Sequence, residues 1–388
     1  MDRRKLAAFL AASFFYWIGL YLYVPTLPEF VRSYTPNLAA VGVVLSMYGL
    51  WQGIIRIPLG VTISATGRGK PYLIAGFLLT LVGALVMSEG KSYGTLALGR
   101  AITGLAAGTW VPLIVVFSGY FPPKQAVLAT SLLSTSSSLG RVLANSATGF
   151  LNGIGGYPLP FYLAGVSALV SVVIIAATKI ERQEVRSVSA ASVRKIFTRP
   201  DVLLPAFIAA VGQIGSWAVV LSFMPILARN IGATQIEVGL LIGLNVLASV
   251  VGNLANAVVT RRISRTNVLY LAFALFSAGI AFVAVTHTTL LLFVGAFILG
   301  LSVGFTAPTL MGLSIERVDQ AHRSTAMGIH QAVYSIGMFV GPWLGGMLAD
   351  TMGIRDMFFV IAAVCFGGTF ALITLRRRLL AAAVPEAS

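Results

Sequence analysis

The chain has 388 residues, 57% of them hydrophobic and only 10% charged, with a formal net charge of +15. An ordinary soluble domain carries about 25% charged residues, so this composition excludes a large water-exposed surface, and a chain this apolar is not disordered either. A single cysteine, Cys365, excludes an intrachain disulfide.

A membrane-spanning helix takes about 20 mostly apolar residues. Twelve such stretches follow one another, at roughly 6–27, 40–62, 71–88, 94–118, 127–150, 159–178, 202–227, 236–259, 267–286, 288–314, 325–347 and 356–375. The first begins after MDRRKL and reaches full spanning length with no clear small-residue cleavage site, so it reads as a retained helix rather than a signal peptide. Connections are short except for the polar segment KIERQEVRSVSAASVRKIFTRP, at about 179–200. The expectation is an all-α membrane protein of twelve transmembrane helices. Six would form a bundle over 1–178, six a second over 201–388, with 179–200 as a cytoplasmic central loop.

Lys and Arg set the orientation of such a chain. With the N-terminus inside, twenty of the 27 basic residues fall on the cytoplasmic side and only Arg32, Lys91, Arg229 and Arg355 outside. The positive charge is therefore largely a topology signal, which removes the support for nucleic acid as a partner. Both termini are expected in the cytoplasm of a cell (plasma) membrane, with the basic face attracting anionic lipid headgroups.

The two halves align at an offset of 196 to 197. Gly42 pairs with Gly239, Gly99 with Gly295, Gly104 with Gly300, Gly108 with Gly304 and Pro112 with Pro308. Gly140, Gly149, Gly156 and Phe161 then pair with Gly337, Gly346, Gly353 and Phe358. Both repeats have the same orientation, so a two-fold axis along the membrane normal and a pathway between the halves are expected. Gly104-x-x-x-Gly108 and Gly300-x-x-x-Gly304 fit close helix packing.

Twelve spans as six plus six, with this loop and this repeat, resemble the major facilitator superfamily. The segment YGLWQGIIRIPLGVTISATGRGK, Tyr48–Lys70, is similar to that family's signature between the second and third spans. Gly60, Gly67, Arg68 and Lys70 match; Ser64 stands where the signature has an acid and Ala65 where it has a base. In the family that acid helps lock the outward-facing state, which implies a gating role for this segment and a lock absent or differently made here. LALGRAITGLAAG in the fourth span resembles the motif of an intramembrane Arg followed by Gly, here Arg100 and Gly104. The eleventh span carries a Gly-Pro-x-x-Gly-Gly pattern at Gly341, Pro342, Gly345 and Gly346. Family antiporters have that pattern in the fifth span, where this chain has Arg141, Ala144 and Asn145 instead.

No Asp or Glu falls deep within any span, but Arg56, Arg100 and Arg141 do, all in the first half. An Arg at mid-membrane costs roughly 2.5–3.5 kcal/mol on insertion scales and needs an anionic or carbonyl partner. Their repeat mates are uncharged: Asn253 or Gly252, Ala296 and Met338. A guanidinium fork matches carboxylate and phosphate geometry, so a cavity positive on one wall is expected. Arg56 is also placed to snorkel to water, Arg100 to serve structure or coupling, and Arg141 to bond backbone carbonyls. Spacing of four puts Gln52 beside Arg56, Gln213 beside Trp217, and His330 beside Tyr334 on one helix face. Asn245 and Gln331 complete the candidate binding set. Tyr16, Trp17 and Tyr21 could line the pathway or simply pack. His330 is the one intraspan group able to titrate near neutral pH.

No phosphate-binding loop, zinc-protease motif or cysteine metal set occurs. The expected function is a secondary, alternating-access transporter of an organic or inorganic anion, without cofactor or metal, working as a monomer. The alternative is an exporter of drugs, lipophiles or lipids; a non-transporting membrane sensor is the remote one.

Overall fold

The computed structural model describes residues 3–122, 125–182, 194, 196–319 and 322–382. The described residues form helices and no strands. Twelve long helical spans follow in order: α1 Arg3–Tyr21, α2 Leu38–Thr66, α3 Gly69–Ser88, α4 Tyr93–Ser118, α5 Ala126–Gly155, α6 Pro158–Ala177, α7 Pro200–Asn230, α8 Gln235–Val259, α9 Arg265–Val285, α10 Thr289–Ile315, α11 Arg323–Met352 and α12 Ile354–Ala382. A short helix, Leu27–Arg32, lies between α1 and α2.

Several helices run past their apolar stretches, because ladder bonds and caps, not hydropathy, set their ends. Asn37 caps α2, the Thr234–Glu237 capping box starts α8, and Ser264 starts α9. Three spans depart from simple helices. α1 stops at Tyr21, six residues early, before a turn and the proline-led short helix. α4 turns at Gly108 and Thr109, between Tyr93–Ala107 and Trp110–Ser118. α7 widens into a π-helix over Ser216–Phe223, just ahead of Pro225, which cannot donate a ladder bond. There the Ser222 hydroxyl donates to the Trp217 carbonyl at 2.6 Å.

Ten of the twelve helices are long and apolar enough to cross a membrane by composition. The other two are α1, which opens on Arg-Arg-Lys, and α5, rich in Ser, Thr and Asn. The polar side chains of α5 have work to do inside the N-terminal half. Ser136 donates to the Leu10 carbonyl at 2.7 Å, Thr148 to the Leu22 carbonyl at 2.7 Å, and the Asn152 amide to Thr26 Oγ1 at 2.9 Å. Such bonds hold helices together where lipid supplies no hydrophobic drive.

The repeat-paired glycines make equivalent contacts. Gly140 lets α5 touch the α1 backbone at Phe14, and Gly337 lets α11 touch the α7 backbone at Ala210. Gly104 lies on the α2 backbone at Tyr48, and Gly300 on the α8 backbone at Asn245. Gly108 packs on Ile55 and Gly304 on the Ser249 backbone. Two further pairs join the halves. A Cβ at Gly42 of α2 would sit 2.9 Å from Gly346 Cα of α11, and one at Gly239 of α8 would sit 2.8 Å from the Asn145 carbonyl of α5, beside Gly149. Pro342 presents its carbonyl to Gly42, and Gly341 packs on Ile214 of α7.

The halves are thus closed against each other at one face. Arg32 donates to Asn230 Oδ1 at 2.9 Å, the Leu38 amide to Asp350 Oδ1 at 2.9 Å, and the Gln235 amide to the Tyr157 hydroxyl at 3.2 Å. At the opposite face the ties named next stay within a half: Arg199 to the Arg317 carbonyl, Arg265 to Glu316, Lys70 to the Ala176 carbonyl.

Half-buried Glu29 stands 3.5 Å from Arg32 at the closed face. Burial pushes its carboxyl above the ordinary range, outweighing Arg32 and Arg229. A raised folded-state value favours the folded protein below the ordinary carboxylate pKa, and that advantage is lost as pH rises through the raised value. Glu29→Gln is expected to flatten this part of the stability–pH profile in thermal melts. Gly42→Leu forces a side chain between α2 and α11, an overpacking that costs roughly 1–3 kcal/mol. It is expected to lower the melting temperature of the purified protein. Gly153→Leu, at a site with nothing within 4 Å of an added Cβ, is expected to leave it unchanged.

Candidate functional site

The three intraspan arginines have different surroundings. Arg56, buried on α2, donates to the Gln331 carbonyl at 3.2 Å and to Ser335 Oγ at 3.4 Å, so it reaches α11 of the other half. Its guanidinium lies 5.0 Å from the centre of the Tyr334 ring. Gln52, one turn away, is buried with its Oε1 unpaired. Arg100 on α4 is 2% exposed, and neither Nε nor Nη1 has a hydrogen-bond partner. Its guanidinium lies 4.4 Å from the centre of the Tyr48 ring. Tyr48 stacks in turn on Trp217 of α7, 5.2 Å between centroids and 22° between planes. This column crosses from one half to the other. Arg141 on α5 is half-buried, with Nη2 3.3 Å from Ser138 Oγ and Nε unpaired. It lies 5.4 Å from the Trp17 ring and 5.7 Å from the Tyr21 ring.

Among the described residues, the expected anionic or carbonyl partner exists for Arg56 alone. For Arg100 and Arg141 the counterpart is the negative face of an aromatic ring. Such a contact is worth about 0.5–1 kcal/mol when exposed and 2 or more when desolvated. The described carboxylates sit at helix ends or between helices, as with Asp201 and Glu237 in first turns and Glu89 and Glu316 at C-caps. The stripe Tyr16, Trp17 and Tyr21 is buried, and Tyr16 donates to the Ala106 carbonyl at 2.7 Å.

The second half gathers Gln213, His330 and Tyr334 around one pocket of about 140 Å³ between α7, α9, α10 and α11. Trp217 is not in it, being stacked on Tyr48. Asn245 is a packing tie: its amide donates to the Ala296 carbonyl at 2.9 Å. Gln331 is buried and accepts, at its carbonyl, from Arg56 and Ser335. In the signature segment, Gly67 ends α2 with φ +63°, a left-handed cap that favours glycine. Gly60 is loosely packed, 3.8 Å from Val111, and Arg68 is exposed. Lys70 donates to the Ala176 and Thr178 carbonyls at 2.7 and 2.9 Å, so this cation serves the C-terminus of α6. The Ser64 side chain lies outside the described residues.

Sequence reasoning missed Tyr48, Phe273, Phe276, Thr306 and Ser314. One signal was present for Tyr48, which is the repeat mate of Asn245 at the offset of 197. Phenylalanines in a hydrophobic helix look like packing, and Ser314 lies sixteen residues from His330.

The sequence profile of the Major Facilitator Superfamily matches residues 9–214 and 206–387. The chain belongs to the Major Facilitator Superfamily. It is a membrane transporter, not an enzyme, and it acts on a small-molecule substrate. Among its superfamily relatives is an uncharacterized MFS-type transporter of Methanocaldococcus jannaschii, 20% identical over 351 residues and spanning 88% of this chain and 90% of that one. Multidrug resistance protein 1 of Bacillus subtilis is 23% identical over 382 residues, 93% of this chain and 94% of its own. The fold is shared with a bacterial homolog of the human lysosomal transporter Spinster, solved in an inward-facing, unoccupied conformation. There the TM-score is 0.78 at 15% identity, over 97% and 98% of the two chains.

Replacing the two fully buried arginines separates their roles. Arg56→Met removes charge-assisted bonds across the halves, each worth roughly 1.5–3 kcal/mol, and is expected to lower the melting temperature. Arg100→Met removes a buried, incompletely bonded charge, which is often neutral or stabilising. It is expected to melt no lower than the parent while substrate flux falls at least tenfold.

Proposed function

We propose that this transporter works by alternating access and exports amphipathic organic molecules that are neutral or anionic. One observation carries the reading. Arg141 is the half-buried one of the three arginines, and it holds its N–H donors beside the rings of Trp17 and Tyr21 with no carboxylate partner among the described residues. An apolar body fits the rings and an acceptor head, such as a carboxylate, fits the guanidinium fork. Three cations and no acid within the spans repel a lipophilic cation. The likeness to a protein named for multidrug resistance supports export of drug-like molecules; the anionic preference rests on the arginines.

The Lys and Arg bias assigns both termini and the 179–200 segment to the cytoplasm of the plasma membrane. The closed face is then extracellular and the arrangement inward-facing, the state named for the Spinster homolog. Residues 1–178 and 201–388 rock about the central loop. The protein acts as a monomer whose basic face lies on anionic headgroups.

Proteoliposome flux tests the substrate class. Fluorescein is expected to be carried and ethidium not, and Arg141→Gln is expected to cut fluorescein flux at least tenfold. Ethidium flux without fluorescein flux would sink the anionic reading. In a Cys365→Ala background, Lys91→Cys is expected to take an impermeant maleimide from outside intact cells and Arg262→Cys to stay unlabelled.

A further inference from the structure

The pocket in the C-terminal half is separate from the Arg141 wall, and its lining has a chemistry of its own. Phe273 and Phe276 of α9 and Leu310 and Met311 of α10 make it apolar. Five polar residues line it: Gln213 and Ser216 from α7, Thr306 from α10, and His330 and Tyr334 from α11. The Gln213 amide, the His330 Nε2 and the Tyr334 hydroxyl have no hydrogen-bond partner among the described residues, although His330 is only 2% exposed. Gln213 and Tyr334 are half-buried, and unpaired hydrogen-bonding groups converging on a largely apolar pocket match the make-up of a small-molecule site.

Two arrangements of the proton on His330 fit the bonds around it. Its Nδ1 lies 2.7 Å from Ser314 Oγ, whereas Ser314 Oγ lies 3.4 Å from the Val202 carbonyl. A hydroxyl has one proton to donate, so Ser314 serves either Nδ1 or the Val202 carbonyl, not both. With Ser314 donating to Nδ1, Nε2 carries the proton into the pocket; with Nδ1 donating to Ser314 and Ser314 to the Val202 carbonyl, Nε2 is an acceptor there.

We infer that this pocket binds one planar aromatic ring bearing a carbonyl or carboxylate acceptor. The volume of about 140 Å³ is close to that of an engineered apolar cavity of about 150 Å³ that takes up benzene. Phe273 and Phe276 stand edge to face, 6.5 Å apart and at 87°, a geometry that suits a third ring. The Gln213 amide supplies a donor to the acceptor, and the His330 ring nitrogen a second hydrogen bond. A cationic ring is disfavoured, because among the described residues no carboxylate lines the pocket, and the Arg56 guanidinium lies against the Tyr334 ring. The site rests on the transport reading for its purpose, as the place where the substrate's ring sits in the cycle, but binding itself does not require transport.

Isothermal titration of the full-length protein in detergent, with benzamide, benzoate and benzylamine as probes, tests it. Benzamide and benzoate are expected to bind at least tenfold tighter than benzylamine. His330→Phe and Gln213→Leu are each expected to weaken benzamide at least tenfold. Ala307→Leu, which fills the pocket without touching a polar group, is expected to do the same and serves if the other two fail to fold. No binding of any probe, benzylamine binding as tight as benzamide, or variants that bind like the parent would each overturn the site. Ring binding without flux in proteoliposomes would leave the site standing and remove the transport role; flux without ring binding would do the reverse.

Discussion

Close approach of helix backbones through glycine is the constraint on which the rest of the structure depends. In a bilayer the tails are as apolar as leucine, so helices associate by tight packing and polar ties instead of hydrophobic exclusion. Here the contacts occur twice, once in each repeat. Gly140 and Gly337 seat the fifth helix of each half on the first, and Gly104 and Gly300 seat the fourth on the second. The crossed pairs Gly42 with Gly346 and Gly149 with Gly239 then join the halves at one face. That closure brings Tyr48 of α2 against Trp217 of α7 and carries Arg56 to the α11 carbonyl of Gln331.

Onto this symmetric frame the chain places an asymmetric electrostatic pattern. At equivalent positions, the N-terminal half sets the Arg100 guanidinium on the Tyr48 ring, and the C-terminal half bonds the Asn245 amide to the Ala296 carbonyl. The first arrangement leaves a charge without a carboxylate; the second satisfies itself. An N-terminal half with three intraspan arginines thus faces a C-terminal half whose pocket is lined, among the described residues, by no Asp, Glu, Lys or Arg and offers unpaired hydrogen-bonding groups. The proposed substrate, an acceptor head on an aromatic body, matches both the Arg141 wall and the His330 pocket.

Much of the architecture was legible from residues alone because lipid makes backbone satisfaction a local matter. Each span must close its own hydrogen bonds as a helix, so apolar length found the twelve. Deviations came where local chemistry overrides hydropathy: prolines after Tyr21, the Gly108–Thr109 turn, and the π-helix before Pro225. The site was less legible. Gln213, His330 and Tyr334 converge, but spacing of four could not show that Trp217, four residues after Gln213, is drawn away to Tyr48, or that Asn245 is spent on Ala296.

By itself, then, the sequence determined the spans, the basic asymmetry, the repeat and the three unmatched arginines, since each follows from composition and spacing along one helix. Only the tertiary structure decided what those arginines meet, which polar groups share a pocket, and at which face the halves close. Those outcomes depend on side chains from helices far apart in the chain, such as Arg56 with Gln331 and His330 with Ser314, and no periodicity along a single helix encodes the contact between two.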